Sequence, residues 1–328
     1  MTTATSRAAP SRWALLAAFA AIYVVWGSSY VFIHFAVETI PPFLMGGLRF
    51  SLAGLLMIGW ARAHGARLPT WVHWRSAAVG GVLLFLINNG ALVWAAQAVP
   101  SSMMALLVGI TPMWMVLLDW WRPSVRGRQA GGVRPTNWVF AGLVAGFFGI
   151  TLLVSPGDFA AGSTDAAIGV VAILIGTVGW AVGSLYTRQA SLPDSPILTT
   201  GMQLFTGGVM LLALSATTGE LGRFNPADVS PVSLLAWVQL VIFGSVIGYG
   251  SYVWLLRVST PARVATYAYV NPIVAVFLGW ALAGETITLR TVLAAAIIIG
   301  SVMLINNTRQ PKPAARAVLA EAASEIGV

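Results

Sequence analysis

The chain alternates long apolar runs with short polar connections. Ten runs approach or exceed the ~20 residues that a helix needs to cross a hydrocarbon core. They are 12–37, 42–62, 72–97, 101–122, 138–154, 166–190, 195–216, 232–257, 261–283 and 288–306. The fifth is the shortest. The first is too long for a signal-peptide core and has no convincing small-residue cleavage site, so it is read as a helix that stays. The pattern predicts an all-α membrane protein with ten transmembrane helices.

The pattern is also written twice. At an offset of 160 residues, Asn88 to Trp121 lies over Gly248 to Ala281 without a gap. Gly90/Gly250, Val93/Val253, Trp94/Trp254, Ala105/Ala265, Pro112/Pro272, Val116/Val276, Leu118/Leu278 and Trp120/Trp280 coincide. Trp26 falls over Trp180 and Gly54 over Gly208 at an offset of 154, and Gly149 over Gly300 at 151. Five helices per half is an odd number, so the second half must be inverted relative to the first. Two inverted five-helix repeats place a solute site near the midplane, where the halves meet. The expected divisions are an N-terminal segment 1–11, a first repeat 12–154, a second repeat 166–306 and a tail 307–328 that is disordered or weakly helical.

Composition agrees with a lipid-facing chain. Only 9% of the 328 residues are charged and 58% are hydrophobic, against about 25% charged in a soluble domain. The net charge of +8 does not point to nucleic acid, because the charges sit in short loops. With the N-terminus in the cytoplasm, 15 of the 18 basic residues fall on the cytoplasmic side. Arg223 and Arg290 fall outside, and Arg49 lies within the second helix. This bias predicts both termini inside, in the plasma (bacterial inner) membrane. There is no cysteine, so thiolate chemistry is excluded. The three histidines are scattered, and the only lysine, Lys312, lies in the tail, so no phosphate-binding Gly-x-x-x-x-Gly-Lys loop is present. No cofactor or metal is expected.

Trp26-Gly27-Ser28-Ser29-Tyr30, Leu48-Arg49-Phe50, Ala105 with Thr111-Pro112, and Ala265 to Glu285 with Asn271-Pro272 and Leu278-Gly279-Trp280 ahead of Gly284-Glu285 resemble the EamA repeat of the drug/metabolite transporter superfamily, in its ten-helix exporter group. The resemblance covers about 12–306. It implies ten helices in two inverted repeats and, often, export of amino acids, metabolites or toxic organic compounds. Trp121 to Arg128 lacks the Gly-Glu found after the ninth helix, so this stretch of the first repeat offers no matching Gly-Glu for Glu285.

Several residues are candidates for a solute site. Trp26 and Trp180 each lie ~21 Å along their helices, near the midplane. They either wall a cavity or pack between helices. Ser28, Ser29 and Tyr30 follow Trp26; hydroxyls there face the bundle interior or bond back to their own helix. Asn88 and Asn89 are adjacent amides inside the third helix, matched by Tyr249 in the eighth. Amides in hydrocarbon need partners or water. Tyr267 and Asn271 share a face of the ninth helix. Pro112 and Pro272 kink their helices as hinges or as static bends, with Thr111 and Asn271 placed to bond the freed carbonyls. Arg49 is expected to pair with a solute anion or with Glu38, or to snorkel to the outer interface. Asp119 and Arg122 are expected to pair at the inner end, and Glu285 to complement the N-terminus of the tenth helix.

These residues predict a secondary transporter that exports a small organic solute by alternating access in a lipid bilayer. No carboxylate falls clearly at the midplane, so coupling to a proton and simple facilitation both stay open, as do monomer and homodimer. The alternative is an intramembrane enzyme acting on a lipid or headgroup, which would need a nucleophile–base pair or metal cluster.

Overall fold

The computed structural model describes residues 11–121, 136–153, 164–259, 264 and 266–308. Segments 1–10 and 309–328, and the expected Asp119–Arg122 pair, lie outside the described residues. Among the described residues the chain is helical without a strand. The helices are α1 (Arg12–Val37), α2 (Pro42–Ala63), α3 (Trp71–Ala95) and α4, in two pieces, Ser101–Val108 and Thr111–Trp121. They continue with α5 (Asn137–Leu153), α6 (Thr164–Thr187) and α7 (Pro196–Thr217). Then come α8, in three pieces from Pro231–Gln239 through Leu240–Ile247 to Gly248–Val258, α9 (Tyr267–Ala283) and α10 (Leu289–Thr308). Seven are long and apolar enough to span a membrane, and α5, α9 and α10 are shorter apolar helices. One difference from the expected runs matters: the fourth is broken at Gly109–Ile110, just before Pro112.

The packing carries an inverted repeat. α2 lies along α7, α4 along α9 and α5 along α10. The contacts α1–α8 and α3–α6 are mates under exchange of the halves, as are α1–α9 with α4–α6 and α2–α8 with α3–α7. In lipid these seams gain little from excluding water, so close backbone approach must supply the attraction. Glycines supply it. A Cβ on Gly54 would stand 2.7 Å from the Gly201 carbonyl, and one on Gly208 2.6 Å from Ser51 Oγ. Large apolar side chains such as Leu55, Leu56, Val144, Ile175 and Phe277 point outward, as a lipid-facing surface requires.

The up-and-down course of the helices gives the bundle two ends. Arg12, Arg62, Arg67, Arg75 and Arg188 gather at one, the basic end. Glu38, Asp165, Glu220, Asp228 and Glu285 gather at the other, the acidic end, together with Arg223 and Arg290.

Among the described residues three helices carry π-helical turns: α1 at Ala21–Val25, α3 at Val82–Asn89 and α8 at Leu240–Ile247. The last two are mates in the repeat. Such turns widen a helix and free carbonyls from its ladder, and they recur at functional sites.

Candidate solute-binding site

The π turn of α1 ends at Trp26. Its carbonyls are taken up locally: Ser28 and Ser29 both donate to the Val25 carbonyl, at 2.9 and 2.8 Å. The Asn271 side chain, from α9, faces the carbonyls of Ile22, Tyr23 and Tyr267 at 3.1, 3.2 and 3.1 Å, so its amide nitrogen lies on that side and donates to them. The Tyr23 hydroxyl meets Thr266 Oγ1 at 2.5 Å. The start of α9 is thereby tied to α1 one turn below Trp26.

The π turn of α8 brings a second backbone to the indole. Trp26 Nε1 donates to the Gly244 carbonyl at 3.0 Å. A methyl group at Gly248 would overlap Nε1, so the indole needs glycine there. Three tyrosines surround the ring. Its centroid lies 5.2 Å from Tyr249, 5.3 Å from Tyr252 and 5.2 Å from Tyr267. Tyr252 and Tyr267 are 5.9 Å apart and perpendicular. These spacings suit edge and tilted aromatic contacts. All four rings sit in the middle stretch of the bundle yet keep accessible surface.

Trp180 is not part of this box. It packs, as Tyr249 does, on the cluster built from Phe50 and Phe85, whose rings are 5.1 Å apart. The repeat explains the asymmetry. At the offset of 160, Tyr249, Tyr252 and Tyr267 fall over Asn89, Leu92 and Leu107, so at these three positions only the second half carries tyrosine. Asn89 donates to the Leu84 carbonyl of its own helix at 2.8 Å, inside the π turn. Asn88 is buried, and its backbone packs against Gly176. Tyr30 is half-buried against the largest core cluster. Thr111 donates to the Val108 carbonyl at 2.6 Å, the acceptor that Pro112, lacking an N–H, leaves free. Pro272 is buried beside Asn271. Trp26, Tyr249, Tyr267 and Asn271 therefore come together; Asn88, Asn89, Trp180, Tyr30 and Pro112 are not part of the box.

Tyr252 escaped the sequence reading, although its spacing of three from Tyr249 places both on one helical face. Arg49 neither snorkels nor pairs with Glu38. It is 4% exposed, donates from Nε to Ser245 Oγ at 3.0 Å and lies with Cζ 4.7 Å over the Phe50 ring.

Glu285 complements a helix N-terminus, but that of α4 rather than α10. It accepts from Ser101 N and Oγ, both at 2.6 Å, and from Ser102 N at 3.1 Å. Thr288 caps α10 instead. Gly284, at φ +66°, turns the chain so that Glu285 N closes on the Gly279 carbonyl, a left-handed cap suited to glycine. Its counterpart is Glu220, preceded by Gly219 at φ +76°. Glu220 accepts from the backbone of Phe43 and Leu44, at 3.3 and 2.9 Å, at the start of α2. Both helices begin after proline, with no side-chain cap of their own. The partner of Glu285 is thus a second Gly-Glu in the same half, not a repeat mate.

The EamA-like transporter family matches residues 11–155 and 167–307. The chain is 33% identical over 315 residues to the inner membrane transporter YedA of Escherichia coli strain K12, covering 95% of this chain and 97% of YedA. It is 26% identical to protein PecM of Dickeya dadantii, across 88% of this chain and 93% of PecM. A WAT1-related chloroplast protein of Arabidopsis thaliana is 25% identical over 87% of this chain and 67% of its own length. A solved crystal structure has the same fold, at a TM-score of 0.58 and 22% identity, over 90% of this chain and 98% of that one. With both five-helix halves matched, this chain belongs to the EamA-like transporter family.

Proposed function

We propose that the protein is a secondary transporter that exports small organic metabolites, such as amino acids or toxic organic compounds, by alternating access. The observation that carries this reading is the box of Trp26, Tyr249, Tyr252 and Tyr267, set where α1, α8 and α9 meet. Partly buried rings in mid-span offer flat apolar faces to an organic solute, and an indole face also attracts a cation. The basic end is the cytoplasmic one, by the excess of arginine in its short loops. The membrane is the bacterial inner membrane, as for YedA.

The test is efflux from proteoliposomes loaded with labelled neutral, aromatic and basic amino acids and organic cations, with and without a pH gradient. Wild type is expected to release one class selectively. Trp26→Ala should lower that rate about fivefold, in line with the loss of about 0.5–1.5 kcal/mol per aromatic contact. Trp26→Phe, which keeps a ring but loses the bond to Gly244, should fall between. Absence of selective release, or an unchanged rate in Trp26→Ala, would remove the reading.

A further inference from the structure

Arg49 stands about 10 Å along α2 from the acidic end, inside the bundle. Its Nη1 is buried without a hydrogen-bond partner, and its one bond goes to a neutral hydroxyl, that of Ser245. None of the described carboxylates answers it. Glu38 is exposed at the end of α1, while Glu220 and Glu285 are held by the starts of α2 and α4. A charge in a membrane span is rare and costly unless it faces a functional cavity or a partner. The repeat sharpens the point. The residue over Arg49 is Gln203, also buried, and its Nε2 donates to Thr187 at 3.0 Å. The neutral mate has a partner within the protein; the charged one does not have a counter-charge.

The guanidinium adjoins the aromatic box through one piece of backbone. Gly244, whose carbonyl holds the Trp26 indole, would place a Cβ 3.1 Å from Arg49 Nη2 and 3.3 Å from Ser29 Oγ. Gly248 lies beneath the indole, one turn further on, so about 6 Å separates the charge from the box. That is the span from a carboxylate to the ring or chain it carries. Ser245 accepts from Nε and so keeps its own proton to donate. Among the described residues neither Arg49 Nη1 nor the Ser245 hydroxyl proton has an acceptor, and a planar guanidinium fork suits a carboxylate.

We propose that Arg49 and Ser245 form an anion subsite that binds the carboxylate of the transported solute, while its apolar part rests among Trp26, Tyr249, Tyr252 and Tyr267. The solute class is then a carboxylic acid or zwitterion with an aromatic or apolar body, rather than a bare organic cation. This rests on the transporter reading, but its test does not.

Purified full-length protein is titrated in detergent with four matched probes, 3-phenylpropionate, L-phenylalanine, 3-phenylpropionamide and phenethylamine. Apparent affinity is read from the rise in Tm. The two carboxylates are expected to bind at least tenfold tighter than the amide, with the amine weakest. Arg49→Gln and Arg49→Lys should erase the difference between acid and amide, the lysine because it lacks the fork. The wild-type comparison needs no variant, so misfolding of Arg49→Gln does not blunt it. An amide that binds as tightly as the acid, no binding by either acid, or an acid preference that survives in Arg49→Gln overturns the proposal. Arg49-dependent binding of acids with no efflux of any solute would instead remove the transporter reading and leave the anion subsite standing.

Discussion

Replacing Gly54 by valine is expected to leave almost no folded protein in the membrane, whereas the same change at Gly59, little more than one turn away, should be tolerated. Both glycines lie in α2. A Cβ at Gly54 would come within 2.5 Å of Phe205 N, 2.7 Å of the Gly201 carbonyl and 2.8 Å of Phe205 Cα, while one at Gly59 meets nothing within 4 Å. The obstacle at Gly54 is backbone, which cannot rotate aside. The two helices would have to separate along a seam that joins the halves, and van der Waals contact falls away steeply with distance. Overpacking a tight site costs about 1–3 kcal/mol, occasionally more, and a valine on this seam belongs at or above the upper end. Alanine gives the cleaner measurement. Intrinsic propensity favours alanine over glycine in a helix by ~1 kcal/mol, so Gly59→Ala should be neutral or slightly stabilising. Gly54→Ala and Gly208→Ala should each lower Tm, and the pair together by about 10 °C. A Gly54→Ala protein with the Tm of Gly59→Ala would show that the halves are not held at this seam.

That seam shows which parts of the molecule were legible in the sequence. Gly54 and Gly208 coincide in the repeat, and they lie on facing helices because a two-fold relation carries one into the other. The match of Gly149 with Gly300 meant less. Gly149 packs against α10, but Gly300 faces open space, since apolar helices share glycine easily. Helix number and inversion were readable because ~20-residue apolar runs and arginine placement are long-range signals. The box was only partly readable. Trp26, Tyr249, Tyr267 and Asn271 stood out as polar or aromatic positions deep in spans, but nothing local shows that Asn89 satisfies its amide within its own π turn. Nor does periodicity reveal a π turn, which shifts every following side chain by a fraction of a turn. The two glutamate caps were hidden for another reason. A carboxylate beside a helix start in sequence is read as that helix's cap, whereas Glu220 and Glu285 cap helices more than 150 residues away.

Those two caps should behave differently when removed. Glu285→Ala is expected to raise opening of the bundle at the acidic end on the order of 100-fold, and Glu220→Ala to lower stability without that opening. Glu285 joins the α9–α10 turn to the start of α4 by three hydrogen bonds to a carboxylate. Charge-assisted bonds are worth about 1.5–3 kcal/mol each, with the helix dipole adding to them. Losing the set weakens α4–α9 contact at that end by ~3 kcal/mol after water takes up part of the bonding, which is ~100-fold in an equilibrium. A cavity of about 500 Å³ beside the cap, lined by Pro100, Met103, Val170 and Glu285 among others, gives an opened α4 somewhere to move. Glu220, by contrast, caps α2 where glycines already lock α2 to α7, so its loss leaves the Phe43 and Leu44 N–H groups unsatisfied but no freer to part. The chain has no cysteine, which allows a single reporter without background. Ala105→Cys, at a buried α4 position, should react with a membrane-impermeant maleimide from the acidic end far faster in Glu285→Ala than in wild type, and no faster in Glu220→Ala. Equal acceleration by both would mean that the two caps act as one general brace of that end, and no acceleration by either would mean that α4 is not a moving element there.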